Sequence, residues 1–330
     1  MRINRSRRRI LCTFMAGAAA SGLAMPAAAQ TQPYPNKPIT MVVPYPPGGA
    51  SDALARLLGD RLRDTLGQPV VVVNRPGAGS LIGTQSVIRA PKDGYTLLFT
   101  GSALTIQAAV NKKFDVNIER DLTPISEMVR STFLIATQAR EPFKTIPEMV
   151  KFARERPKDL SFGTNGAGTT SFMIFEYIKS LTNIELLHVP YKGSAEAVGA
   201  LMAGNIQLVA DPVYTLYKQV EVGTLRGLAV TGNKRSALLP NVPTVEEAGF
   251  AGFDITAWIG LLAPAGTPKP IVERLGSATA AIMQDPEVIQ RASALGFDPS
   301  GTKPDEFNRK LRQEQATWTK LARERNLQLD

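Results

Sequence analysis

Cysteine and histidine are nearly absent from this chain: each occurs once in 330 residues, as Cys12 and His188. Cys12 sits in an arginine-rich first segment, so the rest of the sequence holds no disulfide, thiol nucleophile or thiolate metal site. A lone imidazole without a Gly-x-Ser-x-Gly elbow or a carboxylate-rich cluster is weak evidence for catalysis, and His188 reads as a structural residue. Also missing is a glycine-rich loop ending in Gly-Lys-Ser or Gly-Lys-Thr, and no glycine cluster has dinucleotide-fingerprint spacing. These absences disfavour nucleotide chemistry, and no cofactor or metal is expected. No apolar run is long enough for a membrane span: Ile10 to Leu23 falls short of about 20 residues and is broken by Gly17 and Gly22.

What is there begins with an export signal. Arg2, Arg5, Arg7, Arg8 and Arg9 precede that apolar stretch, and Ala27-Ala28-Ala29 offers small residues before Gln30, so 1–29 is expected to be a cleaved leader and the periplasm the destination. Ser6-Arg7-Arg8-Arg9 leaves the Sec and twin-arginine routes both open. Without the leader's arginines the formal net charge falls from +9 to +4. No basic and aromatic surface that would track a phosphate backbone remains, which excludes a nucleic-acid partner. The modest positive balance suits an anionic small molecule. About 300 residues bury a core without disulfides, and a soluble monomer is expected.

Short apolar runs alternate with helix-patterned stretches, which predicts an α/β fold with mostly parallel sheets. Ile39 to Val43 is followed by a helix from about Ser51 to Thr65, with Leu54, Leu57, Leu58 and Leu62 at three- to four-residue spacing and Gly67 as its stop. Further strands are expected at Val70 to Val73, Tyr95 to Thr100, Phe133 to Ala136, Leu160 to Phe162, Glu185 to His188, Ile206 to Ala210, Leu225 to Val230 and Trp258 to Ala263. That is too many for one mononucleotide-type unit, so two lobes are expected. Residues 30–131 form the first part of domain 1, 132–252 domain 2, and 253–330 a return to domain 1 with the C-terminal helices. Two crossings would leave a ligand cleft able to close by hinge motion.

The chemistry concentrates in glycine-rich loops between strands and helices. Tyr45-Pro46-Pro47-Gly48-Gly49 with Ser51, and Gly77-Ala78-Gly79-Ser80, open helices whose unsatisfied amides can hold a carboxylate without a cation. Thr164, Asn165, Gly168, Thr169 and Thr170 supply a matching set in the second lobe, where Thr169 and Thr170 are equally candidates for ordinary helix caps. Asp211, at the end of a strand, either binds ligand polar groups or caps the segment before Pro212. Tyr45, Phe172, Tyr191, Tyr214 and Trp258 are aromatic residues near these junctions.

Taken together, Tyr34-Pro35-x-Lys37-Pro38-Ile39, Tyr45-x-Pro47-Gly48-Gly49-x-x-Asp52, Asn74-x-x-Gly77-Ala78-Gly79, Pro91-x-Asp93-Gly94-Tyr95 and His188-x-Pro190-Tyr191-Lys192-Gly193 carry a resemblance. With Val242-Pro243-Thr244 and Ala263-Pro264-Ala265-Gly266-Thr267-Pro268, the chain resembles the substrate-binding proteins of tripartite tricarboxylate transporters, also called the Bordetella uptake gene family. The resemblance implies a two-lobe periplasmic binding protein fold of type II-like form, without enzymatic activity. Such a protein closes on a small carboxylate and presents it to a two-subunit membrane permease. It places the first carboxylate-holding loop on Tyr45 to Ser51 and the second on Gly77 to Ser80, with Ser102, Thr164, Gly168 to Thr170 and Asp211 as further ligand positions. Where relatives commonly carry His-Leu, this chain has Phe172-Met173, which favours an aromatic carboxylate or a poorly hydroxylated dicarboxylate. A sensor subunit working with a kinase is the alternative, and a serine hydrolase using Ser80, Ser102 or Ser171 with His188 the more remote one.

Overall fold

The structure is a computed structural model and describes residues 33–329; the leader expected at 1–29, with Cys12, lies outside them. Ten strands appear: β1 (Ile39–Val43), β2 (Val70–Asn74), β3 (Thr96–Gly101), β4 (Leu122–Gln138), β5 (Ser161–Thr164), β6 (Leu187–Pro190), β7 (Leu208–Pro212), β8 (Leu225–Val230), β9 (Thr256–Pro264) and β10 (Asp298–Pro299). Hydrogen bonding runs β2-β1-β3-β9-β4-β7-β5-β6, with β8 and β10 also on β4. Every strand is thereby joined by hydrogen bonds to the others, β8 and β10 as branches on β4, and β4 changes partners along its length. Leu122 to Thr132 lie against β9, and Phe133 to Thr137 against β7, with β8 alongside. The two α/β lobes share this 17-residue strand.

Only the second part of β4 was expected from the sequence. Pro124, Ser126, Glu127 and Arg130 break the apolar pattern of its first part, yet Ser126 and Glu127 are fully buried. Ser126 Oγ donates to the Thr302 carbonyl (2.8 Å), and Ser300 Oγ donates to Glu127 Oε1 (3.0 Å), so these polar groups are satisfied inside. Direction follows the βα units: β1 runs parallel to β2 and β3, and β5 to β6 and β7. Among the long strands one in each sheet opposes the rest, β9 in the first and β4 in the second.

Helices form where apolar spacing and end signals agree. Ala50–Leu66 buries Leu54, Leu58 and Leu62, each burial stabilising by roughly 2 kcal/mol. It ends at Gly67, whose left-handed φ of 72° lets its N–H donate to the Arg63 carbonyl (2.8 Å). Among the described residues no helix is long and apolar enough to cross a membrane.

The C-terminal helix Pro304–Glu324 departs from the expected return to the first lobe alone. Phe307 and Leu311 pack in the first lobe with Trp258 and Leu262, whereas Trp318, Leu321 and Ala322 enter the core of the second lobe with Phe175 and Ile178. Midway along it, the Glu314 carboxylate accepts from Trp258 Nε1 (2.7 Å), Thr105 Oγ1 (2.6 Å) and Trp318 Nε1 (3.1 Å). Burial pushes this carboxyl above the usual range, against the pull of Thr105 and Lys310. Glu314→Ala is expected to cost about 3 kcal/mol in urea unfolding, because it strands two enclosed indole donors, whereas Thr105 Oγ1 keeps the Ser102 carbonyl at 2.8 Å as an acceptor. The exposed Glu273→Ala should change stability by less than about 0.5 kcal/mol.

Candidate functional site

Chain direction puts the carboxyl ends of β1, β2 and β3 opposite those of β5 and β7, with the start of β9 as a floor between them. A cavity of about 700 Å³ opens there. Tyr45, Ser51, Gly77, Gly79, Ser80 and Ser102 line it from the first lobe, and Asn165, Gly168, Thr169, Thr170 and Asp211 from the second. Among the described residues no lysine, arginine or histidine lines the wall, and Asp211 is its one acid.

The second glycine loop is built for this position. Ala78, Gly79 and Ser80 have φ of 47°, 61° and 79°, a left-handed run that only glycine adopts without cost. The turn places Ser80 on the cavity wall, with its hydroxyl enclosed. That hydroxyl is 4 % exposed as a residue and has no protein partner, and neither does the buried Thr84 Oγ1 one helical turn on. A buried hydroxyl left unmatched by its own chain is uncommon, and in such places an ordered water or another molecule supplies the partner.

The facing loop is already satisfied internally. Thr169 Oγ1 donates to the Gly166 carbonyl (2.7 Å) and caps the helix Thr170–Thr182 by accepting from the Phe172 N–H. Ser171 Oγ donates to Asn165 Oδ1 (2.8 Å). Ser102 Oγ and Thr170 Oγ1 stand 3.2 Å apart, a direct polar contact between the lobes. Tyr45 directs its hydroxyl away to Thr100 Oγ1 and the Gly101 N–H, both at 3.2 Å, and leaves its ring on the wall.

At Asp211, Oδ1 accepts from Ser194 Oγ (2.5 Å) and Thr215 Oγ1 (2.6 Å), while no protein partner for Oδ2 occurs among the described residues. Burial pushes the carboxyl above its ordinary range, and the two hydroxyls only partly offset this. A protonated Asp211 would offer a donor; an ionised one would repel a second anion.

Seven expected residues lie off the wall. Pro47, Gly48 and Gly49 are exposed, and Gly48 N–H donates to Asp52 Oδ2 (3.0 Å) instead of pointing into the cavity. Asp52 is held down to about 2 by Arg56 first and then by Gly48, so its charge clamps this loop. Ala78 faces outward while its neighbours line the wall. Thr164 is buried and bonded to His188 Nε2 (2.7 Å), and Tyr191 covers Gly163. Phe172 lies away from the cavity: its ring packs in the second-lobe core against His188 (centroids 4.8 Å apart), because its place three residues after the Thr169 cap turns that side chain to the inner face of the helix. His188 lies between Phe162 and Phe172, and burial pulls its imidazole below the usual range.

Sequence reasoning missed Gln107, Phe133 and Phe297, which also line the cavity. Gln107 stands beside both glycine loops: a Cβ on Gly79 would touch its amide at 3.4 Å in ordinary van der Waals contact, whereas one on Gly168 would first collide with Leu329. Its helix, Ala103–Val110, was not anticipated.

A family model described as the tripartite tricarboxylate transporter family receptor matches residues 54–327. Protein BugT of Bordetella pertussis is 32% identical over 313 residues, covering 94% of this chain and 95% of that protein. A ligand-free solute-binding protein structure from Polaromonas is 27% identical over 88% of this chain and 99% of that one, with a TM-score of 0.81. A Rhodopseudomonas palustris protein with adipate is 32% identical (88% and 97% covered, TM-score 0.69), and one with bound malate is 28% identical (87% and 99%, TM-score 0.68).

Because the Ser80 hydroxyl is buried without a partner, Ser80→Ala should leave the melting temperature of the unliganded protein unchanged or raise it. A fall of several degrees in a thermal scan would mean that the hydroxyl is tied into the fold.

Proposed function

The chain belongs to the tripartite tricarboxylate transporter receptor family, whose members are solute-binding receptors of the periplasm and not enzymes, and we propose that it captures a small aliphatic dicarboxylate for delivery to a two-subunit membrane permease. The observation that carries the ligand class is the cation-free wall with one orphaned, buried hydroxyl. Neutral donors of the Gly77 to Ser80 loop and of the helix it opens hold the first carboxylate. Second-lobe groups, Asn165 and Thr170 with Asp211, meet the far end when the lobes close.

Two things support closure. The chain overlaps the ligand-free Polaromonas structure better than the adipate- or malate-bound ones, even though the adipate-binding protein is closer in sequence. Gly49 has no atom within 4 Å of where a Cβ would stand, so nothing in this chain requires a glycine there, and the space suits an approaching ligand or lobe. An aromatic carboxylate is the second reading: Phe172 no longer supports it, but Tyr45, Tyr214 and Phe297 bring rings to the wall. A sensor role would use the same closure and gains nothing from the geometry.

Isothermal titration with succinate, malate, adipate, citrate and benzoate tests the ligand class. Saturable binding of at least one diacid, weakened about tenfold or more by Ser80→Ala, is expected; binding of none would end the proposal. A dianion should bind more tightly as the pH falls through the raised Asp211 range, since protonation removes a like charge, until the ligand itself protonates. Asp211→Asn should flatten that dependence, and a profile unchanged by the substitution would place Asp211 outside the ligand shell.

Export by the 1–29 leader belongs to the same proposal. Mass spectrometry of the secreted form should find Gln30 at its N-terminus, and an uncleaved Met1 would reject the leader.

A further inference from the structure

A second cavity, of about 770 Å³, lies beside the cleft along the edge of β4, where the pairing with β10 gives way to that with β8. Only Tyr214 and Phe297 line both cavities. They come from opposite lobes. Tyr214 opens the helix Val213–Glu221, anchored through Val213 and Leu216 in the second-lobe core, whereas Phe297 packs on the core of the first lobe.

The lobes touch here where Tyr214 seats on a glycine, Gly296. A Cβ placed on Gly296 would stand 2.0 Å from Tyr214 Cδ1, so the tyrosine ring fills the space that a side chain at 296 would take. Ser131 Oγ donates to the Gly296 carbonyl (3.1 Å) and fixes that glycine to β4. The ring is nonetheless 40 % exposed, because open volume lies on both sides of it.

The chemistry changes across this partition. The cleft wall carries no cation, whereas the second cavity is lined by Arg130, Lys234 and Arg235, with Asp298 and Glu306 as its acids. Arg130 is spent on Glu127 and Ser300, and Arg235 on Glu247. Lys234 has no ion pair among the described residues, so its ammonium is the charge left to meet an incoming anion.

We propose that Tyr214 is a specificity-determining partition: seated on Gly296 it ends the cleft and limits ligand length, and behind it lies a latent subsite where Lys234 takes the distal carboxylate of a longer diacid. This rests on the dicarboxylate reading above. It goes further by naming what sets chain length and where the excess length would go.

The test titrates the unbranched α,ω-dicarboxylates from succinate to sebacate into the wild-type protein, Tyr214→Ala, Tyr214→Phe and Tyr214→Ala with Lys234→Gln. Tyr214→Ala should gain about tenfold or more for the longest acids relative to the shortest, with Tyr214→Phe keeping the wild-type profile and Lys234→Gln cancelling the gain. A uniform loss across the series, or an unshifted length profile, overturns the proposal. A crystal structure of Tyr214→Ala supplies a readout independent of ligand: one continuous cavity is expected, and two separate ones reject the partition. If the wild type binds no diacid, the dicarboxylate reading falls, and the partition is still decided by that structure. Should Tyr214→Ala not fold, Phe297→Ala opens the same wall from the other lobe and is judged by the same criteria.

Discussion

Everything in this molecule is arranged around one strand that belongs to two sheets. β4 gives up β9 and takes β7 and β8 between Thr132 and Phe133, so the offset of one sheet from the other is set by backbone hydrogen bonds and not by loop packing. Because β1 to β3 end toward the junction from one side and β5 and β7 from the other, two sets of strand-to-helix loops must confront each other there. The opposing strand β9 then lays Ala257 and Trp258 across the floor. Glu314 holds that floor from beneath by binding the indoles of Trp258 and Trp318. Relative motion of the lobes is therefore confined to three connections: β4, residues 231–255 and the long C-terminal helix.

That frame shows how a cleft whose described wall carries no cation could hold a carboxylate, as proposed. A lysine or arginine in a site closing away from water would carry a large desolvation cost when empty and a strong attraction when filled. Backbone amides and hydroxyls are weaker individually, and their dipoles are already oriented by the turn before the ligand arrives. Such a site would bind without holding on, as the proposed delivery role requires. In that proposal Asp211 would add selection of the opposite kind, since a carboxyl whose protonation range is raised by burial penalises further negative charge beside it when ionised.

The sequence made the repeating units legible because their signals are local. The leucine spacing of Ala50–Leu66 and the glycine after it specify that helix without tertiary help. The first half of β4 was illegible for the converse reason, since Ser126 and Glu127 are tolerable inside because Thr302, Ser300 and Lys310, far along the chain, satisfy them together with Arg130. The helices Ala103–Val110, Val213–Glu221 and Pro286–Ala294 were passed over too, and the first two carry Gln107 and Tyr214 to the cavity. In the site, glycine clusters located the loops correctly but could not say which way neighbouring side chains turn. Phe172 and Ser171 are adjacent, yet one enters the core and the other the cavity wall, a difference of about 100° around a helix that only its docking decides.

The Gly77 to Ser80 turn also indicates where the molecule's stability has been spent. Ala78 and Ser80 in left-handed conformations cost roughly 1 kcal/mol each. An unpartnered buried hydroxyl costs about 1–3 kcal/mol more, and Thr84 repeats that penalty one turn on. Set against a net stability on the order of 5–15 kcal/mol, this is a large local deficit, and it is borne within two turns of chain. Close packing flanks the turn: a Cβ on Gly77 would meet Ile82 at 2.6 Å, and one on Gly83 the Arg75 carbonyl at 2.7 Å, so the chain on either side holds the strained loop in place. Strain and unmet hydrogen-bonding capacity beside a cavity are what a pre-formed binding loop would require, because a ligand would recover in the complex what the empty protein gives up.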